Sequence, residues 1–560
     1  MKSRFLLVLL GISLCLLAIT NLDETRQITK TTINHASSIL GLQFTDAEKD
    51  SMLSVLRNNR EDLKKLRHLY LDNDIPPALH FNPVPAGTAV DTSSEAVTWD
   101  VPPSTSLPEN REDLAYYSIR ELASLIRQRK ISSVELTRFF LDRIEQYGDT
   151  LEAIITVTRQ RALAQARQLD QELQNGNYRG PLHGIPYAAK DLFAVEGYKT
   201  TWGATPYKDQ TIDKTATVIR KLDEAGAVLI AKSTLGALAY NDIWYGGMTR
   251  NPWNLQQGSS GSSAGSAAGT AAGLFPFALG TETWGSIISP ATRCGVTGLR
   301  PTFGRVSRYG AMALSWSMDK VGPITRNAVG AGIVFDAIRG KDGKDQSLQE
   351  WPFGYHSRDS LNGLTVGYVK SGFSSDYDNK KNDKRTLDKL NELGAKLKPI
   401  TLPDYPTSAM QHILFAEAAA AFDSLTITNT DDQLTWQDSE AWPNQFRSYR
   451  FMPAVEYIQA NRTRTLLIHK MDSLMQTVDL YVCPTFAANN LLLTNLTGHP
   501  SVVLPNGFTE ENSPASITLI GELFDEGTLL EVAQLYQNHT SYHQKHPPLF
   551  SSSGQGSKTQ

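Results

Sequence analysis

The chain is short of the residues that usually announce a metalloprotein, a disulfide scaffold or a nucleic-acid binder. Three cysteines, Cys15, Cys294 and Cys483, are spread over 560 residues. One stands in the N-terminal apolar stretch, so the remainder of the chain can form at most one disulfide, and no zinc spacing exists. Cys294 and Cys483 are therefore expected as two buried thiols. The 11 histidines show no His-Glu-x-x-His or His-x-His spacing. A metal site is accordingly not expected, and no histidine is placed to serve a conventional Ser-His-Asp triad. Basic blocks are missing too. With 54 Lys and Arg against 58 Asp and Glu, the net charge is −4, which argues against nucleic acid as a partner. There is no internal repeat. What remains is ordinary globular composition, 41% hydrophobic and 20% charged, long enough for one large core with appendages.

At the N-terminus, Lys2 and Arg4 precede an apolar stretch from Phe5 to Ile19 and then polar "TNLDE". This order matches a secretory leader, and the stretch is shorter than the ~18–20 residues a spanning helix needs. The expectation is an exported protein, periplasmic or secreted, with residues 1–20 as signal peptide; an uncleaved membrane anchor through residues 5–19 is the alternative. Residues 21–110 read as an extension. Its helical part opens with a Thr45–Glu48 capping box and carries Met52, Leu53, Leu56, Leu63, Leu66 and Leu69 at roughly helical intervals. A Pro-, Ser- and Thr-rich arm follows. Residues 111–547 then form the main domain, and 548–560 a disordered tail.

The main domain opens with two capping boxes, Ser118–Glu121 and Ser132–Glu135, each starting a helix, and residues 151–175 are expected to continue as helix. From there short apolar runs recur: "GIPYAAK", "GAVLIAK", "FPFALG", "LTVGYV", "DLYVCP", "SVVLP" and "SITLIG". Helical segments such as "TATVIRKLDEAG" alternate with them. This pattern predicts an α/β fold with a mixed central sheet covered by helices on both faces.

Several segments invite a chemical reading. "GAVLIAKS" resembles a phosphate loop, but Ala231 replaces its second glycine and the segment is strand-like. "GSSAG" fits Gly-x-Ser-x-Gly with Ser263 as nucleophile, an esterase reading that would need a strand running into it. The Gly/Ser run beginning at Gly258 has linker composition, yet it passes through "AGSAAGTAAG" into an apolar strand, as a packed segment would. A serine needs a base, and Lys190, closing the apolar "GIPYAAK", becomes one if burial keeps it neutral. The bland alternatives are an exposed lysine or an ion pair with Asp191. A second serine could relay the proton, and "TETWGS" offers backbone N–H groups in a tight turn suited to an oxyanion.

These segments, with "GPLHGIPYAAKDLF", "TRNPWN", "GSSAGSAAG", "LGTETWGSIISPA", "CGVTGLRPTFGRVSRYG" and "DKVGPITRN" in family order, resemble the amidase signature family over residues 115–545. That family includes the A subunit of the glutamyl-tRNA amidotransferase, fatty acid amide hydrolase and bacterial peptide amidases. The resemblance implies a single large amidase-type domain and hydrolysis of a carboxamide bond. Lys190 would be the catalytic base, Ser262 the bridging serine held by a cis peptide, and Ser286 the acyl-forming nucleophile. The 24-residue interval between the serines is the family's usual one. The backbone amides of Thr283, Trp284, Gly285 and Ser286 would form the oxyanion hole. Neither metal nor organic cofactor is implied, and the partner is a small-molecule or peptide amide. Because export would remove the chain from charged tRNA, it reads as peptide-amidase-like rather than as the glutamyl-tRNA amidotransferase component. Two departures stand out: Trp284 where small or acidic residues are usual, and Ile288 where many members carry Arg. Trp244 and Tyr245 are candidates for an apolar entrance. A catalytically silent binding or scaffold protein is the alternative from another class. The sequence sets neither the substrate nor the oligomeric state.

Overall fold

The computed structural model describes residues 27–67, 71–73, 75–85, 88 and 97–551. The leader, including residues 5–19, and residues 552–560 of the expected 548–560 tail lie outside these residues, whereas Pro548–Phe550 form a 3₁₀ turn with Phe550 buried. Two compact units divide at Ile75/Pro76.

The first unit contains helices α1 (Lys30–Leu40) and α2 (Asp46–Arg67). Thr29 caps α1 with its side chain, and Gly41 ends it in the left-handed region at φ 67°. Thr45 and Glu48 form the expected capping box: Thr45 N donates to Glu48 Oε2 at 2.6 Å and Glu48 N to Thr45 Oγ1 at 3.3 Å. Lys30 and Asp50 link the helices through a 2.7 Å ion pair.

The second unit is built on one 11-stranded sheet. In chain order its strands are β1 (Ile154–Val157), β2 (Pro186–Lys190), β3 (Val228–Ser233), β4 (Phe277–Glu282), β5 (Thr297–Arg300), β6 (Lys320–Thr325), β7 (Thr365–Val369), β8 (Lys396–Ile400), β9 (Leu480–Pro484), β10 (Ser501–Phe508) and β11 (Pro514–Gly521). They lie in the order β1-β3-β2-β4-β6-β5-β10-β11-β9-β7-β8. Neighbours β3, β2 and β4 are parallel, as are β9, β7 and β8; the other pairs are antiparallel. The sheet is therefore mixed, as the alternating pattern predicts. Strands β2, β3 and β4 are buried at every position, which explains why they read as unbroken apolar runs.

The flanking helices include α3 (Ile119–Arg127), α4 (Ser133–Leu151), α5 (Arg159–Gln174), α6 (Thr217–Glu224), α7 (Ala264–Ala271), α8 (Ile288–Cys294), α9 (Ala328–Ile338), α10 (Lys380–Glu392), α11 (Ala454–Met475), α12 (Asn490–Thr497) and α13 (Glu526–Asn538). Both predicted capping boxes are present, at Ser118–Glu121 and Ser132–Glu135. The expectation of unbroken helix over 151–175 is corrected. Four residues rich in β-branching, Ile154–Val157, form strand β1 against β3, and the helix restarts at Arg159.

Residues 97–110 carry no helix or strand, yet they are fastened to the core of this unit. Trp99 Nε1 donates to Asp336 Oδ2 at 3.0 Å, and its ring lies 4.6 Å from Tyr355. Ser124 Oγ donates to Pro102 O at 2.7 Å. Cys294 and Cys483 are free, buried thiols.

Candidate functional site

Lys190, Glu282 and Arg300 are the last residues of β2, β4 and β5. Because β2 and β4 are parallel and β5 is related to β4 through antiparallel β6, all three ends meet at one edge of the sheet. Ligand sites of α/β sheets gather at such carboxyl ends. Lys320, opening β6, pairs in register with Glu282 at the same edge.

Lys190 is fully buried. Its Nζ lies 2.7 Å from Ser262 Oγ, 3.0 Å from Thr281 Oγ1 and 3.1 Å from Ser263 Oγ. Burial lowers the amine to about 7, against the upward pull of Asp319 and Glu282. The two bland alternatives for Lys190 are both excluded by the geometry. The lysine is not exposed, and Asp191 is committed elsewhere. Asp191 forms a buried 2.7 Å ion pair with Lys232 and accepts from Thr201 N and Thr201 Oγ1 at 2.8 and 2.6 Å. Three hydroxyls therefore serve the amine in either protonation state. A charged amine donates three times; a neutral one donates twice and accepts once.

The hydrogen-bond pattern shows which hydroxyl does not face the lone pair. Ser263 Oγ donates to Thr281 O at 3.1 Å and accepts from Thr281 N at 3.2 Å. Its single proton is spoken for, so it accepts from Lys190. The Ser262 and Thr281 hydroxyls show no such commitment, so either can give its proton to the amine, and Ser262 is the nearer at 2.7 Å against 3.0 Å. Ser263 is fully buried, and the short strand before it, Asn254–Gly258, pairs only with Arg250–Asn251 outside the main sheet. The nucleophile elbow of an α/β-hydrolase is absent at this position among the described residues.

The Gly/Ser run is packed structure. The Gly261–Ser262 peptide is cis, as the resemblance implies. A Cβ on Gly261 would stand 1.8 Å from Asn241 O, and one on Gly265 would stand 2.2 Å from Ala153 O. Every residue of α7 is buried. Glycine, alanine and serine are here because neighbouring backbone leaves no room for more.

Ser286 lies in the turn after β4 and keeps 9% of its surface exposed. Its carbonyl accepts from Ser263 N at 3.1 Å, which ties the turn to the start of α7. Gly285, just before it, adopts φ +85°, a conformation for which glycine is suited. Glu282 holds the turn from below. Its Oε2 accepts from Ile287 N and Ile288 N, each at 2.9 Å; its Oε1 accepts from Arg300 Nη1 and Asn495 Nδ2, each at 2.8 Å. Burial alone would raise this carboxyl, but Arg300, Asn495 and the Ile288 N–H outweigh it and hold the group below its usual range. From the other side, Thr283 Oγ1 donates to Asp319 Oδ1 at 2.6 Å. Thr281, Glu282, Arg300, Asn495 and Asp319 were not singled out in the sequence. Charged residues set in apolar strands, as in "ALGTE" and "TGLR", are the signal that could have found Glu282 and Arg300.

Trp284 is 38% exposed, whereas Ile288 is buried as the first residue of α8. Trp244 is buried and Tyr245 half-buried, their rings meeting edge to face at 4.9 Å. Trp244 lies in a two-stranded ribbon, Ile243–Trp244 with Gly247–Met248, which precedes Ser262 in the chain. Among the described residues no cluster of three His, Cys, Asp or Glu side chains is arranged to hold a metal ion.

The family model described as Amidase matches residues 135–494. The A subunit of glutamyl-tRNA(Gln) amidotransferase from Moorella thermoacetica is 33% identical over 486 residues, covering 78% of this chain and 99% of that protein. The native peptide amidase of Stenotrophomonas maltophilia superposes with a TM-score of 0.69 at 26% identity, covering 77% of this chain and 98% of that one. The corresponding glutamyl-tRNA(Gln) amidotransferase component of Thermotoga maritima gives 0.63 at 25% identity, covering 76% of this chain and 96% of that one.

Two expectations are corrected by these relatives. The preference for a peptide-amidase-like chain over the glutamyl-tRNA amidotransferase component does not stand, because the latter shares a third of its residues with this chain over most of its length. The motifs lie in the part of the chain that aligns with relatives of both names, and so they do not separate one branch from the other. The expectation of an exported protein, periplasmic or secreted, which rested on the apolar leader, does not stand against these relatives. Relatives this similar carry a name tied to glutamyl-tRNA(Gln), from which export would separate them. Among the described residues no helix is long and apolar enough to cross a membrane. With a family model matched over more than half its length, the chain belongs to the amidase family and is an amide-acting enzyme.

Proposed function

We propose that the protein hydrolyses a carboxamide through an acyl-enzyme on Ser286. Neutral Lys190 takes the proton of Ser262 as Ser262 takes that of Ser286, and Ser286 Oγ attacks the amide carbon. The negative charge on the carbonyl oxygen is met by backbone N–H groups of the turn Thr283–Ser286. The proton then returns through Ser262 to the leaving amine as the C–N bond breaks. A water, activated by the same relay, hydrolyses the ester.

The observation that carries this reading is the environment of Lys190. It is a buried amine 2.7 Å from Ser262 Oγ, lowered to about 7 by burial, with the adjacent carboxylate engaged by Lys232. Buried ionisable groups shifted this far by desolvation cluster at functional sites. Ser286→Ala is expected to lower kcat by at least about 10⁴-fold with the fold intact by circular dichroism. Retention of more than a tenth of the activity would overturn the assignment.

The 33% identity to an amidotransferase component over 78% of the chain favours a second reading. In it the same acyl-enzyme chemistry releases ammonia inside a larger assembly. Turnover of amides by the purified chain alone separates the two, since the first reading needs no partner.

A further inference from the structure

From Ser262 to Pro290 the catalytic span has a single exposed residue, Trp284, with 38% of its surface in solvent. It stands two residues before Ser286. The other eight tryptophans are all buried or half-buried. Trp202 and Trp244 are buried, and Trp442 is buried, stacked at 5.0 Å on Phe446 and hydrogen-bonded to Leu238 O. An indole left in water forfeits the gain its burial would bring, and it does so here on a rigid support. Glu282 fixes the turn through the N–H groups of Ile287 and Ile288, and Asp319 fixes Thr283. On the other side, half-buried Leu491 packs against the turn at Gly285; its Cδ2 lies 3.0 Å from where a Cβ on that glycine would stand. A preorganised apolar surface beside a reacting serine is covered at little conformational cost when a ligand arrives.

We propose that Trp284 is the substrate-selecting wall of this site, and that the protein acts on carboxamides carrying an aromatic or similarly flat apolar group close to the scissile carbonyl. The proposal rests on Ser286 as the nucleophile and names the substrate class for that reaction. The exposed indole, with Leu491 against the same turn at Gly285, supplies the stacking and dispersion contacts, and its own backbone N–H belongs to the turn proposed to hold the oxyanion. Recognition and chemistry therefore share one turn.

The test compares phenylacetamide with propionamide as the ratio of their kcat/KM values in the full chain and in Trp284→Gly and Trp284→Phe. A ratio cancels any change in oxyanion binding that both amides feel. Wild type is expected to favour phenylacetamide. The preference should fall about tenfold or more in Trp284→Gly, mainly through KM, and stay within about threefold of wild type in Trp284→Phe. An unchanged ratio in Trp284→Gly, or a wild-type preference for propionamide, would overturn the proposal. Labelling of Ser286 by a serine-directed fluorophosphonate on the same preparations keeps the two claims apart. Missing label with turnover intact defeats the Ser286 reading, whereas the ratio alone decides the role of Trp284.

Discussion

At the scale of the residue, the central object is a lysine whose charged form is penalised by burial. Lys190 is lowered to about 7 because burial penalises its ammonium form more than Asp319 and Glu282 favour it. A base works only when deprotonated, so kcat/KM should rise with pH through an apparent pKa near 7 and level above it. Lys190→Met should remove that limb and lower kcat/KM at pH 8 by about 10²–10⁴-fold, the span usual for a lost general base; an unchanged pH profile in the variant would assign the limb to another group. Glu282 makes a different prediction. It is a positioning residue with no contact to substrate, and Glu282→Ala leaves Arg300 buried and unpaired. A loss of roughly 3–5 kcal/mol of stability is expected, read by denaturant unfolding, together with a fall in kcat as the Ile287 and Ile288 amides lose their acceptor. Lys190 could be found from sequence because its partners in composition, the apolar "GIPYAA", are adjacent. Glu282 shows in the sequence only as a charge within an apolar strand; its role does not show, because its partners Arg300 and Asn495 stand 18 and 213 residues away.

At the scale of the element, α7 shows why linker composition and catalytic structure can look alike. Gly265 has Thr234 N at 2.6 Å and Thr234 Oγ1 at 2.5 Å from the place of a Cβ, besides Ala153 O. Gly265→Val should therefore force β3 and α7 apart and cost about 3 kcal/mol or more, measured as a lowered unfolding midpoint. The same logic explains which strands were legible. All seven apolar runs named from the sequence are strands. Four others of the 11-stranded sheet do not show as apolar runs: β1 lies within a segment that reads as helix, β5 is the short "TGLR", β6 is "KVGPIT" with an internal Gly-Pro, and β8 is "KLKPI". Glycine, proline and lysine argue against a strand locally. Pairing overrides them: Gly322 sits where a Cβ would meet Leu299 O at 2.0 Å, so that close approach of β5 and β6 requires the glycine.

At the scale of the molecule, the family match and the sheet both lie in the second unit, which begins at Pro76. A chain of residues 76–560 is expected to fold and keep its amidase activity within about threefold of the full chain. Starting instead at residue 111 removes Trp99 from Asp336 and Tyr355 and Pro102 from Ser124. That shorter chain should lose about 5–10 °C in Tm, seen by thermal melting of the two side by side. Branch and destination were the parts the sequence could not supply. The leader pattern is a statement about some 15 apolar residues, whereas the relatives speak for three quarters of the chain. The whole mechanism turns on the covalent step. Intact-protein mass spectrometry of enzyme quenched in acid during turnover of phenylacetamide tests it most directly. The prediction is a mass increase of one phenylacetyl group, located by peptide mapping on Ser286 and absent from Ser286→Ala. Steady turnover without an adduct, or an adduct on Ser263, would contradict it.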